Sequence, residues 1–481
     1  LTKFFTRQKS EQTQKESSNL GNKLLLSSLP YFLILFIISV LFVFTYKPGT
    51  YLSGWDNLHT EFNYGLNIKR AIFSVWQEYQ GLGLLAGMAH ASDLPREILL
   101  YVISPLAPPQ IIRYLYHFLM LFLGTVGVYI VLSKMLLKNR AEHVRYAASL
   151  LGALVYLFHL GTIQYFYVPF EPYSTFWGFF PILWFSLLHT LKNPSKKNLL
   201  ILALLHLLAT PLAYVQTIFA VYLIVFITTI IVFLCKKGNI SFFQKVKTSI
   251  LISAIVFAVN SFWILPNGYF FATTVSTTQN AMQNRMATEK FFQMNKSRGT
   301  ILDYAMLKEF YYDFTDLNDR AGQFDYLMKT WRNHFSNPIP NIIGIFIFLV
   351  GFFGIFQKNK YRGYIISIWA ITLAVFLSDT PGISLISTTL RELPILNQIF
   401  RNPFTKFIVP TVFIFAIGFA LGIAAVLEFF KKRTITIGIS AFVILIIIIY
   451  AFPIFRGEFI SPQMKTSIPN DYFETFDYFK K

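Results

Sequence analysis

Long apolar runs broken by short polar or basic stretches recur along the whole chain. A bilayer core of about 30 Å takes about 20 apolar residues per helix, because lipid offers no partner to a bare backbone amide. Runs of that kind predict spans near residues 24–46, 110–133, 147–163, 174–191, 198–211, 213–234, 248–271, 338–357, 363–378, 407–430 and 434–455. The expected fold is all-α, a polytopic membrane protein of about eleven transmembrane helices. The apolar stretch 98–105 is too short to span and ends among Pro105, Pro108 and Pro109. It reads as a re-entrant or interfacial segment, and such segments would put the count between eleven and thirteen.

The same pattern divides the chain. A basic tail, residues 1–23, precedes a membrane body, 24–455, and residues 456–481 begin a further segment. The tail runs into the first apolar stretch without a small-residue cleavage site, so the first span is not a removable signal peptide. Three segments between spans are too long for turns: 47–109, 273–337 and 379–406. Loops of such length in a compact chain are usually functional or disordered, and the aromatics, glycines and carboxylates of the first argue against disorder. The last residues are polar and aromatic, and an extracytoplasmic region is expected to continue beyond them.

Composition and charge sharpen this picture. Of 481 residues 54% are hydrophobic, 18% aromatic and only 14% charged, whereas soluble domains run near a quarter charged. A soluble globular enzyme and a disordered chain are both excluded. A single cysteine, Cys235, excludes disulfides and cysteine-based zinc or iron-sulfur sites within one chain. The net charge of +19 would suggest nucleic acid but for its distribution. With a cytoplasmic N-terminus, the tail and the loops 134–145, 192–197, 236–247, 358–362 and 431–433 hold 22 of the 42 Lys+Arg. Of the 23 acids only Glu11, Glu16, Glu142 and Glu428 fall on that side. This is the positive-inside signature of a plasma-membrane protein, and no nucleic-acid partner is implied. Eleven spans then put the C-terminus and the three long segments outside.

Candidate chemistry lies in those segments. The first contains Gly54-Trp55-Asp56-Asn57-Leu58-His59-Thr60-Glu61, an amphipathic stretch over 67–79, glycines 81, 83 and 87, and then His90, Asp93 and Glu97. The glycines have one residue too many between the second and third for a dinucleotide fingerprint, and no P-loop, zinc-protease or nucleophile-elbow motif occurs. Asp56 follows the first span by about ten residues, beside Trp55, at the depth where membrane meets water. A carboxylate there can take a proton from a hydroxyl arriving from water while a lipid-borne group approaches from the membrane. The plainer reading is a solvated aspartate beside an interfacial tryptophan. Glu61, Asp93 and Glu97 are weaker candidates of the same kind.

The third segment carries Arg391 and then Phe400-Arg401-Asn402-Pro403-Phe404-Thr405-Lys406-Phe407 at the mouth of a span. The planar fork of Arg401 and the point charge of Lys406 suit a lipid phosphate, and equally suit snorkelling anchors. The second segment interleaves Asp303, Glu309, Asp313, Asp316, Asp319 and Asp325 with tyrosines and phenylalanines. It is expected to form amphipathic helices over a groove, matched to sugar hydroxyls and ring faces or to plain solvation. Within spans, Gly351/Gly354 and Gly418/Gly422 read as packing seams. His117, His159, His189 and His206 read as packing residues more readily than as ligands.

Three short stretches carry a family resemblance: Trp55-Asp56, Asn260-x-Phe262-Trp263-x-x-Pro266, and Phe400-Arg401-Asn402 with Lys406-Phe407. Together with the long loop after the first span, they make the chain resemble the GT-C superfamily of integral membrane glycosyltransferases. Within it the chain is most similar to the membrane domain of the mycobacterial α-(1→3)-arabinofuranosyltransferase type, then to YfhO-type bacterial membrane proteins. One extra residue separates Asn402 from Lys406, a departure that touches the role of Lys406 more than that of Arg401. The resemblance implies a polyprenyl-phosphate-linked sugar donor and a glycan or envelope-polymer acceptor on the outer face. It implies a single inverting displacement with Asp56 as base, Glu61 being the second catalytic candidate. Trp55, His90, Asp93, Trp263, Arg391, Arg401 and Lys406 would bind substrate. No resident cofactor is implied; a divalent metal stays open but is not indicated, as no compact carboxylate cluster is visible. Two other readings stay open: a transporter or flippase of lipid-linked sugars, and a non-catalytic protein of envelope assembly.

Overall fold

The computed structural model describes residues 28–479 except 58, 74–75, 78–82, 86–88, 283–285, 287–289, 292–293, 295–296, 319–321, 394–398 and 401. Seven helices are long and apolar enough to cross a membrane: Ser28–Thr45, Pro109–Leu136, Gln216–Cys235, Phe242–Thr273, Pro338–Ile355, Pro403–Phe430 and Arg433–Tyr450. Counting Glu142–Phe158 and Leu160–Tyr167, bent by 42°, as one broken span makes eight. Helices Glu171–Lys192, Lys196–Leu208 and Arg362–Phe376 stand at the other three expected positions. The last two, of 13 and 15 residues, reach only about 20–23 Å, short of a hydrocarbon core. The segment 98–105 falls in a ten-residue helix, Leu94–Ile103, and the 3-10 turn after it, also too short to cross.

Local chemistry sets the helix starts. Ser195, Ser241 and Asn337 accept the free amides of Asn198, Gln244 and Ile339. Pro109, Pro338 and Pro403 occupy first-turn positions, where a missing N–H leaves nothing unsatisfied. Pro403–Phe430 is apolar on every side and buried along almost its whole length, so it forms the axis of the bundle. Gly351 and Gly354 of the helix Pro338–Ile355 meet Gly418 and Gly422 on this axis, so closely that a Cβ on Gly354 would overlap the Gly418 carbonyl. Close backbone approach of this kind supplies dispersion contact where lipid provides no hydrophobic drive between helices.

The connections separate to two ends of the bundle. At the basic end Arg140 pairs with Glu428, the Lys192 ammonium lies 3.6 Å from the Tyr361 ring centroid, and Lys236 donates to the Lys360 carbonyl. At the other, the loop end, Tyr51–Leu52 pairs antiparallel with Lys465–Thr466, and Thr315–Asn318 pairs with Gln323–Tyr326. This second pairing departs from the helices expected throughout 273–337. Thr315-Asp-Leu-Asn and Gln323-Phe-Asp-Tyr alternate with a period of two, and Gly322 takes the left-handed turn conformation at φ 62°. Short helices do flank the hairpin, Ile301–Met306 behind a Thr300/Asp303 capping box and Lys329–Ser336 after it.

Candidate functional site

The strand Tyr51–Leu52 delivers the chain to the loop end, where the Ser53 amide donates to the Met464 carbonyl at 2.8 Å. A tight turn follows. The Gly54 amide donates to the Asn57 side chain, whose Nδ2 donates to the Pro169 carbonyl (3.1 Å) and to Glu171 Oε2 (2.8 Å). Only glycine fits at 54, because a Cβ there would overlap the Pro169 carbonyl. Trp55 and Asp56 sit on the exposed crest of this turn. The Trp55 ring, 41% exposed, lies against Phe314 and Tyr311 with centroids 4.9 and 5.6 Å away. Tyr311 in turn meets Phe404, at 6.2 Å, in the first turn of Pro403–Phe430. One aromatic cluster thus joins parts of all three long segments. Asp56 has no hydrogen bond or ion pair with another described residue. Burial first, then Tyr173 and the Asp56 charge, push the Tyr311 phenol well up.

Directly behind the turn is a buried charge network. Arg113 donates to Glu61 Oε2 at 3.1 Å and lies 2.9 Å from Glu171 Oε1. Arg96 holds Asp93 through Nε–H···Oδ1 at 2.8 Å and a second bond at 2.5 Å, reaches Glu97 at 3.1 Å, and stands 4.0 Å from Glu171. His59 adds a contact to Glu61 at 3.1 Å. Burial alone would raise the Glu61 carboxyl, but Arg113 and His59 outweigh it and hold it below the ordinary carboxylate value. At Glu97 burial wins: Arg96 opposes it, Asp93 and Glu171 reinforce it, and the carboxyl is pushed up to about 9. Glu97 Oε2 has no hydrogen-bond partner among the described residues. Two guanidinium groups thus organise four carboxyl groups, those of Glu61, Asp93, Glu97 and Glu171. Among the described residues no group of three or more His, Cys, Asp or Glu side chains is arranged to hold a metal ion.

The sequence candidates therefore fall in separate places. Trp55 and Asp56 are on the crest, while Glu61 and Asp93 lie within the buried network. His90 is buried between Gln77, at its Nδ1, and Tyr214, whose hydroxyl is 3.4 Å from Nε2. Trp263 donates to Asn260 Oδ1 at 2.8 Å and packs edge-on against Phe219, inside the contact of the helices Gln216–Cys235 and Phe242–Thr273. Lys406 is buried in the first turn of Pro403–Phe430, two residues past Phe404, with Nζ 3.0 Å from Thr405 Oγ1. Arg391 is half-buried on the helix Ser384–Glu392. Arg401 lies outside the described residues.

Asn57, Arg96, Arg113 and Glu171 carry the architecture of this region without having been singled out from sequence. Arg113 had a usable signal, a guanidinium at the start of an apolar run, since charges in such runs face the protein interior and pair there. Glu309 is a further buried carboxyl, pushed well up by burial, with Oε1 unpartnered among the described residues.

No protein-family model matches the chain, and no curated protein sequence is similar enough to count as a relative. Among solved structures it is similar to a mutant of the arabinofuranosyltransferase AftD from Mycobacteria, determined by single-particle cryo-EM, with a TM-score of 0.51 at 13% identity. The match covers 92% of this chain and 29% of that one. The chain thus shares the helical membrane fold of about a third of that protein. At such low identity the similarity speaks for architecture, and the residues of the crest and the network rest on their own geometry.

Proposed function

We propose that the chain is a membrane glycosyltransferase that moves a sugar from a polyprenyl-phosphate donor to a glycan acceptor at the loop end, which faces the extracytoplasmic side. The observation that carries this reading is the contrast among the carboxylates of the first long segment. Glu61, Asp93 and Glu97 are buried against arginines, whereas Asp56 is exposed, without a partner among the described residues, and held on a rigid turn. A base must reach an incoming hydroxyl, and Asp56 meets that demand. In this reading Asp56 accepts the acceptor proton as the hydroxyl oxygen bonds to the anomeric carbon. The bond to the phosphate oxygen breaks in the same step, with inversion. The name of the AftD neighbour supports sugar transfer as the reaction class. Lys406, in the first turn of the axial helix, and Arg401, two residues before that helix in the sequence, are the cations we assign to the leaving phosphate. Glu61 and Asp93 act as positioning residues through Arg113 and Arg96.

We assign the Lys/Arg-rich basic end to the cytoplasmic side, a reading supported by the positive-inside rule. The test is reconstitution of the purified chain in liposomes with a labelled polyprenyl-phosphate sugar and an external neutral oligosaccharide. Label appearing in the oligosaccharide supports transfer. Label crossing the bilayer with none in the oligosaccharide identifies a flippase and overturns the proposal.

A further inference from the structure

A cavity of about 560 Å³ opens at the loop end, between the paired strands Thr315–Asn318 and Gln323–Tyr326 and the segment 458–466. Its volume is in the range that accommodates small organic ligands, about 300–1,000 Å³. Asp316 and Asp325 face each other across the hairpin in register, so both carboxylates lie on one side of it. Like charges directly opposite destabilise a strand pair. Lys329 relieves part of that repulsion, at 2.6 Å from Asp325 Oδ2. The amides of Leu317 and Tyr326 each occupy one carboxylate oxygen, Asp316 Oδ1 (2.9 Å) and Asp325 Oδ1 (2.8 Å). Asp316 Oδ2 is left to accept from a ligand.

The opposite wall presents a third, fixed carboxylate. Glu458 Oε2 accepts from the Tyr167 hydroxyl at 2.7 Å and Oε1 from Thr330 at 3.1 Å. The Tyr326 ring, 41% exposed, lines the cavity and has the Arg332 guanidinium 3.8 Å from its centroid. A tyrosine whose orientation is fixed by a cation on one face is a platform for the C–H face of a sugar ring. The two lining lysines, Lys329 and Lys465, do not outnumber the three carboxylates, so the cavity does not select a phosphate. Rigid acceptors beside an aromatic face match a neutral, hydroxyl-rich ligand.

The walls of the cavity lead to the crest. Phe314, against which Trp55 packs, immediately precedes the hairpin, and Met464 in the other wall bonds Ser53, three residues before Asp56. We infer that this cavity is a subsite for a neutral oligosaccharide, holding the acceptor glycan so that its end extends to Asp56; the acceptor role rests on the transferase reading above.

The test is binding of the purified, detergent-solubilised chain to an array of neutral oligosaccharides with pentofuranose, hexofuranose and hexopyranose termini, followed by titration of the best binder. The expected result is saturable binding, weakened at least about tenfold by Asp316→Asn and by Tyr326→Ala, as loss of a charged acceptor or an aromatic platform demands. Asp316→Asn keeps side-chain size and the oxygen that accepts from Leu317, and unchanged unfolding curves for both variants exclude misfolding as the cause. No binder on the array, binding indifferent to both substitutions, or displacement of the sugar by millimolar inorganic phosphate would overturn the subsite. Binding is read without turnover, so a chain that binds but never transfers upholds the subsite while refuting the transferase reading.

Discussion

Replacing Arg113 by Met is the most informative perturbation of the buried network. The guanidinium bridges Glu61 at 3.1 Å and Glu171 at 2.9 Å, and all three side chains are at most 3% exposed. Removing one partner of a buried ion pair typically costs about 3–5 kcal/mol, because the charge left behind has neither water nor counter-ion. Here two carboxylates are left, and Arg96, 4.0 Å from Glu171, compensates only the second. The loss at pH 7 is therefore expected within that range, read as a shift in equilibrium unfolding in mixed detergent micelles. Its pH dependence has a definite sign. The Glu61 carboxyl is held below its unfolded value of 4.5, so its contribution is fully present above that value and fades as pH falls through the lower folded value. The variant lacks this contribution, and the gap between the two chains must narrow in acid. Adding Glu61→Gln to Arg113→Met should recover part of the loss, because the stranded charge is gone. A loss below about 1 kcal/mol, a gap independent of pH, or no recovery in the double variant would refute the network as a charge-balanced support of the crest.

Other substitutions probe the remaining features. Glu97→Gln should stabilise the chain increasingly as pH rises from about 5 toward 9: a carboxyl raised by burial favours the folded state below 4.5 and loses that contribution as pH climbs through its folded value. Unfolding curves at pH 5 and pH 8 check it, and a Gln variant less stable at pH 8 contradicts it. Gly354→Ala should force apart the axial helix and Pro338–Ile355, costing about 1–3 kcal/mol or more in the same unfolding assay. Gly54→Ala should push the crest away from Pro169, loosen the Asn57 bonds to Pro169 and Glu171, and lower sugar transfer together with some loss in the unfolding assay. Equal transfer in the two chains would show that the turn does not need its present geometry.

Much of the fold was legible because lipid leaves a chain few options: an apolar run must become a helix, and every expected span position carries one. The glycine seams were legible for a similar reason, as close packing is the ordinary use of small residues in such runs. The carboxylates were harder. In sequence Asp56, Glu61, Asp93 and Glu97 look alike, and what separates them is Arg113, 52 residues beyond Glu61, together with Glu171 on a later helix. Pairing of Tyr51–Leu52 with Lys465–Thr466 is likewise too short and too distant to leave a periodic trace. The pairing of Thr315–Asn318 with Gln323–Tyr326 did leave one, an alternation of two that the density of acids and aromatics obscured.

The role of Asp56 is tested most directly by the transfer rate of Asp56→Asn in proteoliposomes, with the labelled polyprenyl-phosphate donor and the best-binding oligosaccharide. The amide keeps the size and exposure of the side chain but cannot accept the hydroxyl proton, so the rate should fall by about 10²–10⁴ with unfolding unchanged. Transfer within a few-fold of the unsubstituted chain would remove Asp56 from the chemistry.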